Sequence, residues 1–416
     1  MQLCVFRRSS RKRACALLLL ISVKVIFFVA LLEVYCFTKF ETEQTGISTL
    51  PSLLNASLST VINVKRNKTI LIWNSPERIE TAVFGFGHKP FVQHKCKVSD
   101  CILYKNKSAM PFENYDAIIV HMHVLWLSKL PDFPRRENQR FIFLTQESPA
   151  IMPIDVFNLG NIFNWTMSYR LNSDIQLLYG RIFPEPTAPK TEENMYKLIE
   201  KTHQPSARNY AANKTHLVVW MATHCDTPSL RETYVRQLKK FVPVDIYGGC
   251  GNLSCERNDS HWLSHPKCYD MIEAKYKFYL SFENSLCDDY VTEKFFYIMD
   301  RNVVPVVYGK ANYSRIAPAH SYIDALQFTP EGLAHYLKVL DANDALYNEY
   351  FWWKGHYQVE AGVEHMARHG FCDLCNKLHQ EEGIVKYYAE LASDWHQQNK
   401  CTSYPSWETA GTVNMQ

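Results

Sequence analysis

The chain has 416 residues, 47% apolar and 21% charged, with 15 glycines and 19 prolines; at the usual ~150 residues per domain this is core for about two or three domains and excludes a disordered chain, a collagen-like repeat or a disulfide-stapled mini-protein. The formal charge of +3 is misleading, because Arg7, Arg8, Arg11, Lys12 and Arg13 precede the first acid and leave 40 basic against 42 acidic residues over positions 14–416. A basic nucleic-acid-binding face is therefore not indicated, and no nucleic acid partner is expected.

Residues 14–37 form a mostly apolar run of 24, interrupted by Lys24 and Glu33, and at 1.5 Å per residue that length crosses a hydrocarbon core of ~30 Å. The basic cluster immediately before it predicts a cytosolic N-terminus and a lumenal body, a type II signal anchor. The run is longer than the h-region of a cleaved signal peptide, and no small-x-small cleavage site follows it cleanly. Eight Asn-x-Ser/Thr sequons agree with a lumenal body, at Asn55, Asn67, Asn106, Asn164, Asn213, Asn252, Asn258 and Asn312. Ten of the 13 cysteines lie beyond residue 40, an even number compatible with disulfides in an oxidising compartment, with connectivity open. Zinc is the rival for Cys372 and Cys375, but His365, His369 and His379 sit in no finger spacing.

Residues 38–67, rich in Ser, Thr and Asn, read as a stem. Apolar β-type runs then occur at 69–73, 117–121 and 140–145, and again at 216–222, 244–248, 277–282 and 303–309, alternating with helical patterns in the second series. That alternation predicts a mainly parallel sheet covered by helices. A helix is predicted over 229–242, opened by a Ser229-x-x-Glu232 capping box. Two more are predicted over 293–300, with Thr292 as N-cap, and over 330–340. Between 184 and 214 the periodicity dissolves, which marks a connection between two αβ bodies.

Ligands of open α/β sheets bind beyond the carboxyl ends of the strands, so the residues after each strand are the candidates. Arg231 and Lys294 each fall in the first turn of a helix, where a cation opposes the helix dipole, and two at equivalent places point to a bound diphosphate. Tyr290 and Glu293 precede Lys294 as candidate ring and hydroxyl contacts, and Glu147 follows the 140–145 strand, placed to take a proton from an acceptor hydroxyl. No Asp-x-Asp motif for a divalent cation occurs, and neither GxxxxGK[ST] nor GxSxG is found.

The segment 276–309, YKFYLSFENSLCDDYVTEKFFYIMDRNVVPVVYG, resembles the donor-binding signature of the α-1,3-fucosyltransferases of glycosyltransferase family 10. The run from Phe163 to Arg170 with Asp174, the stretch ending at Arg231, and Phe371-Cys372-Asp373-Leu374-Cys375 agree in order. The resemblance covers about 67–375 and implies a GT-B-like α/β fold, two Rossmann-like domains facing a cleft, behind a single transmembrane helix in the Golgi membrane. The division expected is 1–13 cytosolic tail, 14–37 anchor, 38–67 stem, 68–205 acceptor-side domain, 206–372 GDP-fucose domain and 373–416 C-terminal segment.

It further implies inverting transfer of L-fucose from GDP-L-fucose to O3 of GlcNAc on an N-glycan, at the chitobiose core or on an antennal Gal- or GalNAc-GlcNAc unit. No cofactor is required, a divalent cation being at most stimulatory. By resemblance Glu147 is the general base, Arg231 and Lys294 hold the diphosphate, and Asn284, Tyr290 and Glu293 contact guanosine, ribose and fucose, with Tyr169 and Arg170 nearby. Cys372 and Cys375 resemble the family's C-terminal disulfide. Thr223-His224 departs from the family's usual Ser-Asn. The alternatives are transfer to a protein Ser or Thr, and a catalytically silent, glycan-binding relative.

Overall fold

The computed structural model describes residues 66–123, 129–152, 159–255 and 266–402. The tail, the anchor and the stem up to residue 65 lie outside them, and no helix among the described residues is long and apolar enough to cross a membrane.

The first body is built on six parallel strands, β1 (Lys68–Ile72), β2 (Cys101–Tyr104), β3 (Ala117–His121), β4 (Arg140–Thr145), β5 (Trp165–Ser168) and β6 (Ile175–Gln176), ordered β2-β1-β3-β4-β5-β6. Every residue of β3, β4 and β5 is buried, as expected of parallel strands covered on both faces. Short helices α1 (Ile79–Phe84) and α2 (Lys89–Gln93) cross from β1 to β2. Strand β7 (Gly180–Pro184) and helix α3 (Glu192–Lys201) then lead out of this body.

The 184–214 stretch therefore contains a helix that the sequence pattern did not reveal. Its stripe is thin: Met195, Leu198 and Ile199 are only partly buried. Its ends are well specified, since Thr191 Oγ1 accepts from the Asn194 amide and Glu192, Glu193 and Lys201 complement the dipole.

The second body has five parallel strands, β8 (His216–Met221), β9 (Val244–Tyr247), β10 (Tyr276–Phe282), β11 (Val304–Tyr308) and β12 (Ile323–Asp324), ordered β12-β11-β10-β8-β9. Helices α4 (Arg231–Leu238), α5 (Pro266–Lys275), α6 (Glu293–Met299), α7 (Pro330–Ala342) and α8 (Asp344–Asn348) connect and flank them. The predicted capping box does not form: Leu230 takes the N-cap position with φ 51° and no side-chain cap. The Ser229 hydroxyl is buried and donates to the Glu283 carbonyl at 2.7 Å, while Glu232 accepts from Thr227.

The chain returns through β13 (Tyr357–Ala361), antiparallel to β7, and enters α9 (Val363–Gln380) and α10 (Leu391–Asn399). A boundary at 372/373 would cut α9 in the middle. Phe371, Leu374 and Leu378 of α9 pack on Ile70, Ile142 and Trp165 on one face of the first sheet, and Leu391 and Trp395 of α10 join Ile118 and Phe143 on the other. The C-terminal segment thus completes the first body. Gly370 permits the approach, for a Cβ there would meet Leu177 Cδ1 at 2.3 Å.

Cys372 and Cys375 are both half-cystines, but not of one bridge. Cys372 pairs with Cys96 and Cys375 with Cys101, at Cα separations of 5.1 and 5.9 Å. Three residues apart on a continuous helix, both thiols face the α2–β2 edge, where those partners wait. Cys225–Cys250, Cys255–Cys268 and Cys287–Cys401 pair the remaining six. The sequon at Asn164 is fully buried, its amide taken by Phe141 N–H and the Lys386 carbonyl.

Candidate active site

A cavity of about 290 Å³ opens where the carboxyl ends of both sheets converge. The first sheet contributes Glu80, Gln146 and Glu147, and the second His224, Gly248, Asn284, Tyr290 and Glu293 with Lys294. Of the expected site residues, Glu147, Asn284, Tyr290, Glu293 and Lys294 share this cavity.

Glu147 follows β4 on a turn fixed from several sides. Its amide donates to Thr145 Oγ1 at 3.3 Å, Tyr179 Oη donates to the preceding Gln146 carbonyl at 2.8 Å, and Ser148 Oγ donates to Ser285 Oγ at 2.7 Å. The carboxylate accepts from Tyr290 Oη at 3.0 Å. Burial pushes its pKa above the usual carboxylate range; Lys294 and the Tyr290 hydrogen bond pull it back only in part. A carboxylate so placed is a stronger base than one in water, the property a general base needs.

Lys294 Nζ lies 2.7 Å from Thr292 Oγ1, 3.3 Å from Glu283 Oε2 and 3.2 Å from Glu293 Oε1. Burial opposes its charge, but the carboxylates of Glu283 and Glu293 prevail and raise its pKa, so it is a cation at any working pH. Glu283, fully buried, was not anticipated. Its carboxylate accepts from the Thr292 amide at 2.8 Å and from the Thr292 hydroxyl. It thereby caps α6 from outside, and Thr292, at the predicted N-cap position, makes no side-chain cap bond of its own.

Three expected contacts lie elsewhere. Arg231 is 2% exposed and stands behind the wall, donating from Nη1 to the Phe282 carbonyl at 2.6 Å and from Nη2 to the His224 carbonyl at 3.2 Å. It ties the 223–228 loop to the end of β10; it neither lines the cavity nor points into solvent. Tyr169 is buried with its hydroxyl on Asn399 Oδ1, and its ring meets Tyr290 edge-on at 4.9 Å. Arg170 Nε donates to Asn172 Oδ1. Tyr169 sits one layer behind the cavity, and Arg170 does not line it.

A polar group on the first sheet was missed. Glu80 Oε1 accepts from His121 Nε2 at 2.9 Å and lies 3.6 Å from Arg78 Nε, while His121 Nδ1 accepts from the His123 amide, which fixes the tautomer. Burial would raise the Glu80 pKa, but His121 and Arg78 hold it below the usual range. The strand-end rule that found Glu147 applies equally after β1 and would have found Arg78 and Glu80. Across the cavity, Cys225–Cys250 braces the Thr223-His224 loop against Gly248, and Cys255–Cys268 forms part of the wall.

Residues 211–395 match the model of glycosyltransferase family 10 (fucosyltransferase), C-terminal part, and residues 65–180 match the fucosyltransferase N-terminal model. The chain is 37% identical over 353 residues to alpha-(1,3)-fucosyltransferase C of Drosophila melanogaster, covering 81% of this chain and 79% of that one. It is 34% identical over 345 residues to glycoprotein 3-alpha-L-fucosyltransferase A of the same organism, covering 81% and 62%. A crystal structure of an alpha1,3-fucosyltransferase with GDP-fucose superposes with TM-score 0.47 at 15% identity, over 82% of this chain and 96% of that one. The matched regions take in both sheets and every wall of the cavity, and the chain belongs to glycosyltransferase family 10, the fucosyltransferases.

Proposed function

We propose that this enzyme transfers L-fucose from GDP-L-fucose to O3 of a GlcNAc residue in an N-glycan, with inversion, on a GT-B-like scaffold anchored in the Golgi membrane with its catalytic body in the lumen. The observation that carries the reading is the shared cavity of Glu147, a buried carboxylate of raised pKa, and Lys294, a buried cation, contributed by different sheets. Glu147 takes the proton from the acceptor hydroxyl, whose oxygen attacks the anomeric carbon. The bond to the diphosphate breaks on the opposite face and GDP departs with the electron pair. Lys294 stabilises the charge developing on that leaving group.

When the diphosphate meets Lys294 it displaces the Glu293 carboxylate, the more exposed of its two anionic partners at 22% against 0% for Glu283. Glu293 is then released to accept from sugar hydroxyls. Arg231 acts from behind, holding the His224 carbonyl and with it the loop that closes one side of the donor cavity. The relatives named for 3-fucosyl transfer, one of them acting on glycoproteins, support this acceptor class. No metal is required in the scheme, because the charge on GDP is met by Lys294.

The detergent-solubilised full chain, given GDP-fucose with chitobiose-core, antennal and Ser/Thr peptide acceptors, with and without EDTA, tests the proposal. Formation of an α-1,3-fucosylated N-glycan in EDTA is expected. Transfer confined to the peptide would replace the acceptor, and loss of all turnover in EDTA would overturn the metal-independent scheme.

A further inference from the structure

Glu147 belongs to the first sheet, yet the group that holds its carboxylate, Tyr290, belongs to the loop after β10. That loop is gripped by the far end of the chain. The Asp288 amide donates to the Asn399 carbonyl at 2.8 Å, the Thr402 amide donates to the Leu286 carbonyl at 2.9 Å, and Cys287 is bonded to Cys401 with a Cα separation of 4.0 Å. Asn399 itself is fully buried; its Oδ1 accepts from Tyr169 Oη and its Nδ2 donates to the Trp395 carbonyl.

From there the contacts run toward the cavity. The Tyr169 ring meets Tyr290 at 4.9 Å and 73°, with Trp395 edge-on behind it at 5.8 Å, and Tyr290 Oη donates to Glu147 Oε2 at 3.0 Å. Trp395 also packs on Phe143 of β4, the strand that delivers Glu147. Residues 391–402 therefore touch both the donor's loop and the carboxylate's own strand, without lining the cavity.

We infer that residues 391–402 form a hook that positions the catalytic base: Asn399 fixes Tyr169, Tyr169 fixes Tyr290, and Tyr290 aims the Glu147 carboxylate at the acceptor. The inference rests on the reading of Glu147 as the base. Aromatic packing orients Tyr290, and its single hydrogen bond selects one oxygen of Glu147, leaving the other for the incoming hydroxyl. Burial, with Glu147 close by, keeps the Tyr290 pKa well above its ordinary value, so this hydroxyl remains a donor wherever the enzyme works. The other groups facing Glu147 are Lys294 and Glu293 from α6, Arg78 from the first sheet, and the Tyr179 and Tyr169 hydroxyls.

Three substitutions in the full chain, Tyr290→Phe, Tyr169→Phe and Asn399→Ala, test the hook through the pH profile of kcat/KM for fucosyl transfer and through GDP affinity. A hydrogen bond to a charged group is worth about 1.5–3 kcal/mol, so Tyr290→Phe is expected to move the acid limb upward by about one to two pH units. Tyr169→Phe and Asn399→Ala, outside the cavity, are expected to move the limb in the same direction by less. Their double variant should be no worse than either single one, because both cut the same link. GDP affinity should stay unchanged in Tyr169→Phe and Asn399→Ala, neither of which lines the cavity.

Tyr169→Phe removes one oxygen and keeps the ring, so it remains informative if Asn399→Ala fails to fold. A lowered kcat with an unmoved acid limb in Tyr169→Phe would reduce the hook to a structural brace and overturn the inference. Turnover retained by Glu147→Gln would instead overturn the base assignment itself.

Discussion

Lys294→Met keeps most of the side-chain volume and removes the charge together with its hydrogen bond to Thr292 Oγ1, so its effects are traceable to the ammonium group. The ammonium sits within 3.3 Å of three oxygens, and one of them belongs to Glu283, which is fully buried. Burial already pushes the Glu283 pKa upward, and Lys294 is the largest influence opposing it. Removing one partner of a buried ion pair costs ~3–5 kcal/mol. The Thr292 amide and hydroxyl still donate to Glu283, and protonation relieves part of the remainder, so a loss of ~3 kcal/mol in unfolding free energy is expected. For catalysis, deleting one preorganised group that stabilises the leaving charge should cost ~10²–10³ in kcat.

A second substitution separates the two losses. Glu283→Gln abolishes the charge that Lys294 neutralises while keeping an oxygen for Thr292. The double variant should therefore recover most of the stability but none of the turnover. Urea unfolding and GDP-fucose turnover on the wild type, both singles and the double would decide it. If turnover returned with stability, Lys294 would serve only to neutralise Glu283, and its assignment to the diphosphate would be wrong.

The raised pKa of Glu147 means that the folded state binds this proton more tightly than the unfolded chain, so the group favours folding at low pH and loses that contribution as pH rises through its folded pKa. Glu147→Gln should accordingly raise the melting temperature at neutral pH, with the advantage shrinking toward pH 4, while GDP binding persists and transfer falls by ~10²–10⁴; a lower melting temperature at pH 7.5 would contradict the burial argument. Gly370→Ala should destabilise by ~1–2 kcal/mol in urea, since its methyl would clash with Leu177 at 2.3 Å and meet Met167 at 3.0 Å, outweighing the better helix propensity. Unchanged stability there would mean that α9 slides on the first sheet more freely than its packing suggests.

The strands most legible in the sequence were those buried on both faces, such as β3, β4 and β10, because such positions demand runs dominated by apolar, β-branched or aromatic residues. The two-residue strands β6 and β12 carry too few side chains for any period to register. The destination of α9 was also hidden, since an amphipathic stripe states that a face is covered but not by which sheet.

At the site, the strand-end rule singled out Glu147, Tyr290, Glu293 and Lys294, which share the cavity, and the family resemblance added Asn284. Arg231, singled out by the same rule, stands behind the wall because its partners, the carbonyls of Phe282 and His224, are backbone groups brought together only by the fold. Tyr169 and Arg170 follow β5 directly, yet neither lines the cavity. Adjacency in sequence does not fix the direction of a side chain once the strand has ended.

The first sheet is finished by helices made last. Its strands are complete at residue 176, but α9 begins only at residue 363, and Cys96 and Cys101 find their partners at Cys372 and Cys375. During synthesis the face formed by Ile70, Ile142 and Trp165 accordingly waits for its cover while the entire second body emerges and folds. A stop codon placed after β13 would therefore spare the second sheet but strip α9 from one face of the first and α10 from the other, so the amino-terminal half is a dependent of the carboxyl-terminal helices and not a self-sufficient module.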